Sequence, residues 1–157
     1  MLTLVSGTGE RFTIPREVST QATLFKTTLE GDRGCDTIEL GISSEVTNLV
    51  VRYLTHHFNN EASEIERPLR SNDIRDVAST FDVALIDVDD DFLFEIIGAA
   101  DYLDLRGLLD LAVAKLATIL VGKSAEQIRS RFEIENDLSE EDNALIRKEA
   151  HWANSTR

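Results

Sequence analysis

Leu105-Arg106-Gly107-Leu108-Leu109-Asp110-Leu111-Ala112-Val113-Ala114-Lys115-Leu116-Ala117-Thr118-Ile119-Leu120-Val121 is the stretch on which the fold turns. Leu105, Leu108, Leu109, Leu111, Val113, Leu116, Ile119 and Leu120 spread over most sides of a 3.6-residue helix, so this helix has to be covered on more than one face. Just upstream, Phe92 to Leu103 reads as another helix in series. Downstream, Ser124-x-x-Gln127 and Ser139-x-x-Asp142 are capping-box or near-box starts for two further short helices, the last bearing Leu145, Ile146 and Trp152. These final helices are strongly charged and carry only a narrow apolar stripe. Short helices are marginal in water, so the stripe needs either the domain body or a partner to cover it.

Toward the N-terminus the period changes. Leu2-Thr3-Leu4-Val5 and Arg11-Phe12-Thr13-Ile14 flank a Gly-containing turn and predict a β-hairpin ended by Pro15. Residues 17 to 30 read as one helix, broken by Gly31-Asp32-Arg33-Gly34, and Thr37-Ile38-Glu39-Leu40 as a third strand. Ser43 or Ser44 caps a helix with Val46, Leu49, Val50, Tyr53 and Leu54 at helical spacing. Asn59 to Asn72, with weak periodicity and mixed charge, reads as a long mobile loop.

Composition narrows the function classes. The chain has 157 residues, 42% of them hydrophobic and 29% charged, and a net charge of −13 from 16 Lys+Arg against 29 Asp+Glu. That is one domain, or one domain with an appendage, with a core that buries roughly 70% of the unfolded surface. A phosphate backbone is repelled on average, which argues against direct nucleic-acid binding. The modest basic cluster Arg67, Arg70 and Arg75 is interrupted by Pro68 and Asp73 and reads as a solvated loop. Cys35 is the single cysteine, so no internal disulfide forms and a reducing compartment is expected. No apolar run reaches the length of a membrane span, and Met1 to Glu10 lacks the pattern of a secretory signal. The sequon Asn154-Ser155-Thr156 is therefore expected to be silent.

The chemistry-bearing motifs give way to plainer readings. Asp87-x-Asp89-x-Asp91 begins like a calcium loop, but Phe92 and Gly98 stand where that loop needs Gly and Glu; the acidic start of a helix explains it better. His56 and His57 are adjacent, point about 100° apart on a helix and share no ligand face, so they read as a basic helix end. Gly7-Thr8-Gly9 lacks the third glycine of a dinucleotide fingerprint. No nucleophile elbow, phosphate loop or thiol–imidazole pair stands out, so the sequence supports no catalytic residue, cofactor or metal.

Ala99-Ala100-Asp101-Tyr102-Leu103-Asp104-Leu105-Arg106-Gly107-Leu108-Leu109-Asp110 resembles the signature of the S-phase kinase-associated protein 1 family, usually Ala-Ala-Asn-Tyr-Leu-Asp-Ile-Lys-Gly-Leu-Leu-Asp. The likeness runs on through Gly122 to Arg129, Phe132 to Asp137 and Ile146 to Trp152, is looser from Leu2 to His57, and nearly vanishes from Asn59 to Ser79. Phe81-Asp82 stands where the family has Trp-Asp.

The resemblance implies an α+β chain: a BTB/POZ fold, a small three-stranded sheet with flanking helices, over residues 1–121 with 59–79 as a variable loop. A C-terminal helical extension over 122–157 would pair with an F-box protein. It implies a non-enzymatic adaptor of SCF-type ubiquitin ligases in cytoplasm and nucleus. Asp101 and Tyr102 would meet a cullin. Leu105, Leu109, Val113, Leu116, Ile128, Phe132, Ile134, Leu138, Ile146, Lys148 and Trp152 would meet the F-box of a substrate receptor.

Two departures stand out. Asp101 replaces the family's Asn, and a carboxylate only accepts where an amide also donates; Ala153 replaces a common Cys. Asp101 keeps open a second reading, an F-box partner in a cullin-free assembly such as a kinetochore-type one. A third is a self-associating BTB scaffold, for which the Phe132 to Trp152 module would be superfluous.

Overall fold

The computed structural model describes residues 1–32 and 34–154, the last six of these by their helical backbone alone. The chain divides into two compact units, Met1–Val121 and the segment from Gly122 onward.

The first unit begins with the hairpin β1 (Leu2–Val5) and β2 (Arg11–Ile14), paired antiparallel with Leu2 opposite Ile14. Gly9, at φ 87°, takes the left-handed turn that a side chain would strain. The buried Ser6 hydroxyl accepts from the Glu10 N–H at 3.0 Å and meets the Ser44 hydroxyl at 2.8 Å, tying the turn to the start of α3 (Ser44–His57). β3 (Thr37–Glu39) joins the other edge of β1 in parallel, giving the order β2-β1-β3. A parallel neighbour requires a crossover, and helices α1 (Arg16–Ser19) and α2 (Thr23–Gly31) supply it. Leu2, Leu4, Ile14 and Ile38 turn inward from the sheet onto Phe25 of α2 and Val46, Val50 and Leu54 of α3.

The single helix expected over 17 to 30 is two. Ser19 and Thr20 turn their hydroxyls back onto the Arg16 and Glu17 carbonyls, each at 2.7 Å, satisfying the backbone locally and ending α1. Gln21 bridges the gap, donating to the carbonyls of Val18 at 3.0 Å and of Leu54 at 2.8 Å.

Beyond Asn59 the chain has no helix or strand until the 3₁₀ turn Ile74–Asp76. The three arginines here are each paired: Arg67 with Asp110, Arg70 with Glu66, and Arg75 with Asp73 at 2.6 Å. The Arg75 guanidinium holds the Asp73 carboxyl down to about 2.

A short helix that the periodicity does not distinguish, α4 (Thr80–Leu85), follows, capped by Ser79. It completes a buried polar cluster. Asp82 accepts from the ring N–H of His57 at 2.8 Å through one oxygen, and from the hydroxyls of Ser79 at 2.9 Å and Ser63 at 3.4 Å through the other. His56 stacks on Phe81 with ring centroids 3.6 Å apart. Both histidines lie in the last turn of α3, as the helix-end reading expects, and both imidazoles are in addition structural joints between α3 and α4. Phe81-Asp82 supplies the other half of each joint.

Asp89 caps α5 (Asp90–Tyr102) by accepting from the Phe92 N–H at 2.9 Å, so the acidic run 87–91 is the start of a helix, which begins two residues before the expected Phe92. α6 (Arg106–Leu120) packs beside α5, and Leu93, Ile96, Ala100, Leu103, Leu108 and Ala112 close the core between them.

The second unit holds α7 (Ala125–Arg131) and α8 (Glu140–Asn154). Ser124 and Gln127 form a reciprocal capping box, and Ser139 accepts from the Asp142 N–H at 3.1 Å. α8 has 15 residues, longer than the short helix expected there. Among the described residues no helix is long and apolar enough to cross a membrane.

Candidate protein-interaction surfaces

The joint between α5 and α6 sets the first surface. The Leu103 N–H donates to the Ala99 carbonyl at 2.9 Å and the Leu105 N–H to the Ala100 carbonyl at 2.8 Å, while Asp104 adopts a positive φ of 47°. This tight turn drives Leu103 and Leu105 into the core and leaves Asp101, Tyr102, Asp104 and Arg106 outside. Tyr102, the last residue of α5, is 53% exposed. Asp101 and Tyr102 are thus adjacent on the surface, where a partner reaches an aromatic ring and a carboxylate together.

Leu105, expected in the receptor contact, is 4% exposed in the free chain and sits at the N-cap of α6, packed into the body. The rest of α6 sorts into two faces. Leu108, Leu111, Ala112 and Ala114 are buried. Leu109, Val113 and Leu116, spaced four and three apart, run as a second stripe along the helix. Leu109 and Leu116 are half-buried and Val113 is 45% exposed. A helix apolar on most sides therefore meets the core with one face and keeps a second apolar stripe toward the outside.

The second unit exposes several large apolar side chains. Ile128 and Phe132 are half-buried. Ile134, Leu138, Leu145 and Ile146 are exposed, Ile146 at 49%. Glu133, at φ 52°, turns the chain between Phe132 and Ile134. Lys148 is exposed on α8. Trp152 lies on α8, but its side chain is outside the described residues. Arg147 reaches Glu126 at 3.7 Å, linking α8 to α7. The Glu126 carboxyl is held below its usual range, first by its own backbone N–H, then by the Ser124 hydroxyl and the nearby Arg147 and Arg129. Exposed apolar side chains in such number on a short, charged segment point to a surface for protein contact.

Phe94 on α5 is a further exposed aromatic residue that the sequence reading did not single out. The run Phe92-Leu93-Phe94 held the signal, since three successive helix positions cannot all face one core.

Two family models match the chain: Skp1 family, tetramerisation domain, over residues 1–59, and Skp1 family, dimerisation domain, over residues 106–153. The second spans α6 and runs into α8. The S-phase kinase-associated protein 1 homolog of Tetrahymena thermophila is 36% identical over 152 residues, covering 96% of this chain and 92% of that protein. The E3 ubiquitin ligase complex SCF subunit sconC of Arthroderma benhamiae is 35% identical over 158 residues, covering 97% of this chain and 94% of its own length. The protein of that name from Emericella nidulans is 35% identical over 156 residues, covering 98% and 96%.

Proposed function

The chain belongs to the Skp1 family, and from that premise we propose that it is the adaptor subunit of an SCF-type ubiquitin ligase, bridging a cullin scaffold to F-box substrate receptors. The observation that carries this reading is 35% identity to an SCF subunit over nearly the full length, in a chain whose second unit displays Ile134, Leu138 and Ile146. In this reading Asp101 and Tyr102 face the cullin. Leu109, Val113 and Leu116 of α6, with Ile128, Phe132, Ile134, Leu138, Ile146, Lys148 and Trp152, face the receptor.

The role is non-catalytic. The adaptor keeps a receptor-bound substrate near a ubiquitin-charged enzyme, and the rate gain comes from effective concentration rather than from chemistry in this chain. It works in cytoplasm and nucleus. Affinity purification of the tagged chain tests the reading: F-box proteins and a cullin co-purify if it is right, and absence of both refutes it. A second reading follows from Asp101. The exposed carboxylate stands where the family carries an amide donor, which favours an F-box partner in a cullin-free assembly. Recovery of F-box proteins without a cullin selects that reading.

A further inference from the structure

Beside α6 lies a cavity of about 480 Å³. Leu109, Val113 and Ala117 form one wall, and Ile65, Pro68 and Leu69 form the other. The second wall is a strap, part of the segment after Asn59 that has no helix or strand. Ile65 and Leu69 are half-buried and pack on the core. Arg67 pairs with Asp110 on α6, clipping the strap across the helix.

We propose that residues 65–69 are an internal occupant of the apolar stripe on α6, and that an F-box receptor displaces them when it docks. This rests on the adaptor reading above, which assigns Leu109 and Val113 to the receptor. Three observations carry it. The strap lines the same pocket as Leu109 and Val113 and is tied to Asp110 between them, so a receptor segment that fills the pocket has to move the strap. The closure is loose: a permanent interface packs to interior density, whereas a pocket of about 480 Å³ lies between this strap and the helix. The clip is also weak. The Arg67 side chain is 76% exposed, and solvent-exposed ion pairs add little.

The strap also leaves part of the stripe open to solvent. Val113, although it lines the cavity, remains exposed, so an incoming apolar segment finds a landing point before the strap has moved. A segment without regular structure, held by two half-buried side chains and one surface pair, is what local opening would release first. The strap thus lowers the apolar area that the free adaptor shows to water, at the expense of part of the receptor affinity.

The test compares binding of a recombinant F-box domain to the full-length chain and to two variants. Ile65→Ser/Leu69→Ser removes the apolar anchors, and Arg67→Glu turns the clip into repulsion from Asp110. Both are expected to bind three- to tenfold more tightly than wild type, with circular dichroism unchanged. A cysteine placed by Leu109→Cys, in a Cys35→Ser background, should react faster with iodoacetamide when either set of strap changes is added. If wild type binds and the strap variants bind equally or more weakly, the strap is no competitor and the proposal fails alone. If wild type binds no F-box domain, the proposal fails together with the adaptor reading.

Discussion

His57 and Asp82, 25 residues apart in the chain, meet at 2.8 Å with side chains 4% and 3% exposed. This contact joins the end of α3 to α4 across the base of the irregular segment. Ser63 and Ser79 use the other carboxylate oxygen, so one acidic side chain organises three elements.

Asp82→Ala should therefore be among the most damaging single changes in the first unit. It removes the acceptor of a buried imidazole and of two serine hydroxyls, at an expected loss of about 2–4 kcal/mol. Asp82→Asn keeps an acceptor and should lose less. Urea unfolding followed by circular dichroism checks both, and an unchanged midpoint for Asp82→Ala would show that the cluster contributes nothing net.

Gly107 leads to the second prediction. A Cβ at this position would sit 2.4 Å from the Tyr53 hydroxyl oxygen. Tyr53 is buried, and its ring lies 4.4 Å from that of His57. Its phenol is pushed above the ordinary range by burial, then by Asp82 and Asp110. The ring cannot give way without disturbing the His57 contact, so Gly107→Ala should destabilise by about 1–3 kcal/mol, in the range of core overpacking. The thermal midpoint should fall by several degrees, and Tyr53→Phe in the same chain should recover part of the loss. A midpoint at the wild-type value would mean that the tyrosine relocates freely.

What the sequence made legible was what local chemistry determines. The hairpin follows from alternating residues around Gly9, and the starts of α3 and α7 from Ser43 and Ser124. The break between α1 and α2 was hidden, because apolar spacing continues through it while two hydroxyls end the helix by bonding backward. The His57–Asp82 contact left no local trace, since its partners lie on different elements. The candidate surfaces show the same division. Leu105 and Leu109 look alike in a helical pattern, and only the turn at Asp104 decides that the first is core and the second is not.

The division at Val121 predicts separable behaviour. A chain ending at Gly122 keeps the sheet, α1 to α6 and their core, and should unfold cooperatively on its own. It loses Ile128, Phe132, Ile134, Leu138 and Ile146, and should lose F-box binding by at least a hundredfold. Calorimetric titration with an F-box domain checks this. Binding retained within a few-fold would place the receptor contact wholly on the first unit.

Asp101 and Tyr102 supply the last prediction. Both stand outside the tight α5–α6 turn, and neither takes part in the core that the turn closes. Substitutions there should leave the stability of the free chain nearly unchanged, which isolates their effect on a partner. Asp101→Asn restores a donor and removes one negative charge from a chain of net charge −13. It should tighten binding to a cullin by about 1 kcal/mol or more where the contact is desolvated. Tyr102→Ala should weaken it, because an exposed tyrosine that becomes buried on docking is a common anchor. Surface plasmon resonance with an immobilised cullin N-terminal domain separates the cases. Wild type, Asp101→Asn and Tyr102→Ala should rank in the order Asn, wild type, Ala. Equal affinities for all three would place the cullin on another face, and binding by Asp101→Asn alone would show that the native carboxylate is what excludes the cullin.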